Sequence, residues 1–138
     1  MSRKVLLRMA AFFTLFVFVG HTIGAIKGPP PDQTNVIEMY ETMGQTMVTL
    51  PMSTQRSIAT MMWGANICLS VYMLVGGLFF IIQSMTKEKT TREGKQILIV
   101  NSLGLLVTGV ISFFVFFPLP AVCLCLSGIL GLVASRKD

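Results

Sequence analysis

Residues 58–83 read IATMMWGANICLSVYMLVGGLFFIIQ, without one Asp, Glu, Lys or Arg. As an α-helix this stretch is about 39 Å long, more than the roughly 30 Å of hydrocarbon in a bilayer. A helix that is apolar on every side belongs inside a large core or inside a membrane. A chain of 138 residues has no such core to offer.

Three more apolar runs flank this one, at about 5–26, 96–117 and 119–135. Arg8 lies close enough to the start of the first to extend its charge to the interface. Pro118 and Pro120 precede and open the last run. Proline there suits a tight connection or a first helical turn. The sequence therefore predicts an all-α integral membrane protein. It is a four-helix up-down bundle, one domain over 1–138, with an outer segment at 27–57. The first run has a charged start at Arg3 and Lys4, and Gly24-Ala25 mimics a cleavage site. Ile23 is too bulky for the small position that cleavage needs, so this run is expected to stay as a span.

Hydrophobic residues make up 53% of the chain and charged residues 12%, against about 25% charged in soluble domains. The net charge of +5 does not point to nucleic acid. The basic residues flank apolar runs and form no face with interleaved aromatics. They read instead as orientation signals. Arg3, Lys4, Arg8, Lys87, Lys89, Arg92, Lys95, Arg136 and Lys137 fall on one side of the four spans, and Lys27 and Arg56 on the other. The side richer in Lys and Arg is the cytoplasmic one. Both termini are thus expected in the cytoplasm and 27–57 outside. Cys68, Cys123 and Cys125 all sit in apolar runs, an odd number that gives no disulfide framework.

The outer segment begins Lys-Gly-Pro-Pro-Pro-Asp at 27–32, which favours an extended polyproline conformation. A helix is expected next, with Asn35 as N-cap and Glu38 three residues on. Val36, Met39, Tyr40, Met43 and Met47 recur at helical spacing as one apolar stripe, and Leu50-Pro51 is expected to end the helix. Such a helix lies in the membrane interface or covers the outer mouth of the bundle. Met39, Met43 and Met47 on successive turns also present thioethers, which suit Cu(I). Methionine is equally an adaptable packing residue.

Polar residues inside the spans cluster by depth. Taking Trp63 as the outer boundary of the second span, His21, Thr22, Asn66, Cys68, Ser112, Cys123 and Cys125 share the outer third, and Tyr72 lies deeper. Polar groups in hydrocarbon must pair or line a wet cavity. His21 bonded to Asn66 or to a carbonyl fixes helix packing. The alternative is a lipid or quinone site made by His21, Thr22, Trp63, Asn66 and Tyr72. Asn101 and Ser102 lie at the depth of Thr14 and suit interhelical hydrogen bonds. Small residues at Gly20 and Gly24, Thr60 and Gly64, and Ser127 and Gly131 mark close helix contacts, within the chain or across a dimer. Gly76, Gly77, Gly104 and Gly109 add to them.

Several chemistries lack their residues. No carboxylate lies within a span, as proton-coupled export needs. Cys123 and Cys125 are two apart, on opposite sides of a helix, which does not suit a thiol pair. No clustered zinc ligands, phosphate-binding loop or nucleophile elbow is present.

Gly20-His21-Thr22-Ile23-Gly24, the proline-containing outer segment, Trp63-Gly64, and Phe116-Phe117-Pro118-Leu119-Pro120 together resemble a family of uncharacterised small bacterial four-helix inner-membrane proteins. More distantly the layout is similar to DoxX-like proteins. The chain departs from the pattern in being richer in methionine and poorer in aromatics around the second span. The resemblance implies a bacterial inner-membrane location and draws attention to His21, Thr22 and Trp63. It implies no activity and no cofactor. The expected partners are the lipid bilayer and a membrane-protein partner or a second copy. The leading reading is a non-enzymatic subunit, accessory or self-associating protein. Its alternatives are the lipid or quinone site and the soft-metal site.

Overall fold

The computed structural model of the protein describes residues 1–27, 34–86, 91–115 and 118–137. The three consecutive prolines, Lys87, Lys89 and the Phe116-Phe117 pair lie outside these residues. The elements are α1 (Arg3–Lys27), α2 (Thr34–Gln45), β1 (Met47–Thr49), β2 (Gln55–Ser57), α3 (Ile58–Met85), α4 (Arg92–Val115) and α5 (Pro118–Ser135). Four of these helices, α1, α3, α4 and α5, are long and apolar enough to cross a membrane. The fold is an all-α membrane bundle, as expected.

The helices start where side chains cap them. The Val5 amide donates to Ser2 Oγ at 3.4 Å, the Thr60 amide to Ser57 Oγ at 3.2 Å, and the Gly94 amide to Thr91 Oγ1 at 3.1 Å. Each hydroxyl satisfies one of the amides that a helix start leaves without a partner. Thr91 thus begins α4 about one turn before the apolar run itself. Pro118 is the first residue of α5, where its missing N–H costs nothing.

The chain divides into two compact units. The first comprises residues 1–19 and 71–138 and holds the core of the bundle. There α1 runs antiparallel to α5, with Thr14 beside Ser127 and the Lys137 ammonium donating to the Met1 carbonyl at 2.9 Å. Arg3 donates to Gln83 at 3.2 Å and Leu15 packs on Gly77, so α1 is also antiparallel to α3. Gly76 meets Asn101 and Gly104 meets Tyr72, which sets α3 against α4. Gly109 faces Ala121 and Cys125, and Gly128 faces Ser102 and Leu106, which closes α4 on α5. Leu7, Phe80, Leu98, Leu105 and Leu124 fill the interior. Phe12, Phe16, Val100, Ile111 and Phe114 stand on the outside, where hydrocarbon covers them.

The second unit, residues 20–70, holds the last turns of α1, the outer segment and the first turns of α3. Here the structure corrects three expectations. Asn35 is within α2, not its cap. The helix ends at Gln45, well before Leu50-Pro51. A small hairpin follows, with Met47 opposite Ser57, Val48 opposite Arg56 and Thr49 opposite Gln55. Met47 is thereby a strand residue and leaves the thioether stripe of Met39 and Met43. The physical reason is local. Val48 and Thr49 are β-branched and favour extended backbone, and Pro51 has no N–H to give a helix.

Candidate functional site

Two places in the fold hold features that packing alone leaves unused. One is the surface of the 20–70 unit; the other is the seam between α3 and α4.

In the 20–70 unit the hairpin is tied tightly to α3. Its loop closes with the Leu50 amide donating to the Thr54 carbonyl at 2.8 Å, and the Ile58 amide donates to Thr46 at 3.1 Å. Met52 and Ser53, at the tip, hold φ of 64° and 57°. Side chains at such φ values cost on the order of 1 kcal/mol each relative to glycine. Met52 spends that strain to stand 98% exposed. No residue of α2 is fully buried, and Met39, Tyr40 and Met47 are exposed. Trp63 is 57% exposed on α3 and Cys68 is exposed as well. His21, Thr22 and Asn66 are each half-buried. Thr22 Oγ1 and Ser70 Oγ are shielded from solvent and bond no described residue. A Cβ added at Gly20, Gly24, Gly44 or Gly64 meets nothing within 4 Å.

Of the five polar residues named as a possible lipid or quinone site, His21, Thr22, Trp63 and Asn66 fall in this unit. Tyr72 falls in the other, where its hydroxyl stands against Gly104. Among the described residues no three His, Cys, Asp or Glu gather as a metal site.

In the other unit the polar groups divide by the use made of them. Thr14 and Ser127 lie 2.6 Å apart, both wholly buried, and both reach the Ala10 carbonyl, at 3.0 and 2.8 Å. One hydroxyl donates to that carbonyl and the other donates between the two, so α1 and α5 are joined in the core. Ser102 donates back to Leu98 at 2.7 Å within its own helix, and its hydroxyl fills the space over Gly131. Asn101, expected to bond across helices, makes no such bond through its Nδ2 among the described residues. Its Oδ1 lies 3.1 Å from where a Gly76 Cβ would be, and its Nδ2 is shielded and bonds no described residue. The sequence placed Asn101 by depth, level with Thr14; it did not reveal that Gly76 stands opposite it.

Comparison with protein-family models, with curated proteins and with solved structures finds no match to the chain.

Proposed function

We propose that this membrane protein is non-enzymatic and works by association, as a subunit, an accessory partner or a self-assembling bundle. One observation supports the reading above others. Gly20 and Gly24 are four residues apart on α1 and form a small-residue strip, with nothing among the described residues within 4 Å of either Cβ position. In hydrocarbon there is no hydrophobic drive between helices, and small residues allow the backbone approach that dispersion and weak hydrogen bonds require. The exposed Met39, Tyr40, Met47 and Met52 give the same unit a soft, adaptable outer surface.

The distribution of Lys and Arg supports cytoplasmic termini and an outer 27–57 segment. The resemblance noted above suggests a bacterial inner membrane.

The test is native mass spectrometry of protein released from gently extracted membranes, wild type beside Gly20→Leu/Gly24→Leu. The reading expects a defined oligomer or a stoichiometric partner in the wild type and its loss in the variant, with the thermal midpoint of the chain itself unchanged. A wild type that is monomeric and without partner in every mild detergent refutes it.

A further inference from the structure

Lys4, Arg8, Phe12 and Phe16 follow one another at four-residue spacing on α1, within the unit of residues 1–19 and 71–138. That spacing makes them one ridge along the helix. All four are exposed. Two like charges one turn apart repel and mildly destabilise a helix. Neither Lys4 nor Arg8 has a hydrogen-bond or ion-pair partner among the described residues. An anion between them removes the repulsion.

Depth says where that anion comes from. Arg8 is five residues past the start of α1, about 7.5 Å along its axis. The contacts of Thr14 with Ser127 and of Met1 with Lys137 set the level of α5 beside it. At that level α5 presents Ile129 and Val133, both exposed to lipid. The Arg8 stem therefore leaves the backbone among apolar side chains, and its charge extends back to the headgroup layer. A guanidinium takes a phosphate through two parallel N–H bonds, and a lysine adds a point charge. One turn deeper, the Phe12 and Phe16 rings lie with centroids 6.3 Å apart and planes at 21°. They give an acyl chain a flat apolar surface directly below the two cations.

Charge narrows the headgroup. Arg3, which holds Gln83, and Lys137, which holds the Met1 carbonyl, add positive charge at the same end of the unit. The unit's one carboxylate among the described residues is Glu93, on α4. A zwitterionic head brings an ammonium that such a field repels. A head whose only charge is its phosphate gains at every cation.

We propose that the ridge from Lys4 to Phe16 seats one anionic phospholipid, its phosphate held by Arg8 and Lys4 and an acyl chain laid over Phe12 and Phe16. The ridge and the Gly20–Gly24 strip belong to different units, and the lipid seat stands whether or not the chain assembles.

The test is native mass spectrometry of the full-length protein in a mild detergent. Phosphatidylglycerol and phosphatidylcholine of matched chains, one of them isotopically labelled, are offered together. The readout is the ratio of the two in the first lipid retained. The wild type is expected to favour phosphatidylglycerol about 25-fold, at roughly fivefold per cation. Lys4→Gln and Arg8→Gln are each expected to lower this preference about fivefold, and the double variant to bring it near parity. Arg8→Lys keeps the charge and loses the paired N–H bonds. It is expected to fall between the wild type and Arg8→Gln, and it decides the case if the neutral variants fail to insert. Phe12→Ala is expected to weaken both lipids alike and leave the ratio unchanged. Arg136→Gln/Lys137→Gln removes the same charge from the same end of the unit but not from the ridge. It is expected to leave the preference within about twofold. A wild type without preference overturns the proposal, as does a preference lost equally in the Arg136/Lys137 and the Lys4/Arg8 pairs. Displacement of the lipid by millimolar inorganic phosphate also overturns it, because the free anion is then the ligand.

Discussion

Glycine is treated in opposite ways by the two units of this chain. In residues 1–19 and 71–138, Gly76, Gly77, Gly104, Gly109, Gly128 and Gly131 each have a neighbour where a Cβ would go. In residues 20–70, Gly20, Gly24, Gly44 and Gly64 have none among the described residues. Both units draw on the same apolar helices, so composition does not separate them. The first unit has spent its small residues on bringing its own helices together. The second still presents them. A membrane helix that keeps glycines on an uncovered face forgoes packing and helix propensity there, and this contrast motivates the association reading.

The sharpest way to break the comparison is to add one methyl group on each side of it. Gly109→Ala and Gly128→Ala push a Cβ against backbone atoms of the facing helix, at 2.8 Å from the Cys125 nitrogen and 2.7 Å from the Ser102 carbonyl oxygen. Backbone yields little, so each is expected to destabilise the protein by about 1–3 kcal/mol in reversible detergent unfolding. Stability equal to wild type would mean that these helices are not in the contact described.

The hairpin gives the next largest effect, with the opposite sign. Met52→Gly removes a side chain from a left-handed backbone position and is expected to strengthen the hairpin locally by about 1 kcal/mol. The measurement is amide hydrogen exchange at Leu50, whose N–H closes the loop on Thr54. Slower exchange in the variant is the expected result, and faster exchange contradicts the turn geometry.

Within the core, Thr14 and Ser127 provide a smaller and more specific test. A double-mutant cycle of Thr14→Val and Ser127→Ala is expected to give a coupling energy of about 0.6 kcal/mol, the usual size for an interhelical hydrogen bond in a membrane. Zero coupling would separate α1 from α5 at this level. Last, Gly20→Ala, Gly24→Ala and Gly64→Ala are expected to cost the isolated chain no stability, with a helix-propensity gain of at most about 1 kcal/mol each. A large loss at any of them would erase the contrast between the two units.

Much of the fold was legible because the membrane simplifies it. A run of some 20 apolar residues has few fates, and Pro118 and Pro120 act through local chemistry that sequence displays directly, whereas the caps at Ser2, Ser57 and Thr91 emerged only with the structure. The hairpin was hidden for equally local reasons. Its strands are three residues each, its tip carries no Asn-Gly or Asp-Gly signal, and its positive-φ positions are occupied by Met52 and Ser53. Met47 happens to fall at helical spacing from Met43, so the stripe ran on past the true end of α2. At the seam, helix rise gave the depth of Asn101, level with Thr14, and not what it faces. Only the pairing of helices shows that Gly76 is what it meets, and that Tyr72 meets Gly104 one turn on.

The contact between Lys137 and the Met1 carbonyl has a use in this light. The two ends of the chain are neighbours, so the four spans form a closed cycle whose opening point is a matter of gene order. A circular permutant that joins the ends by a short linker and opens within residues 87–90 would insert α4 and α5 first and α1 and α3 last, with each helix keeping its direction across the bilayer. Such a chain separates the order in which the membrane receives the helices from the structure they finally make.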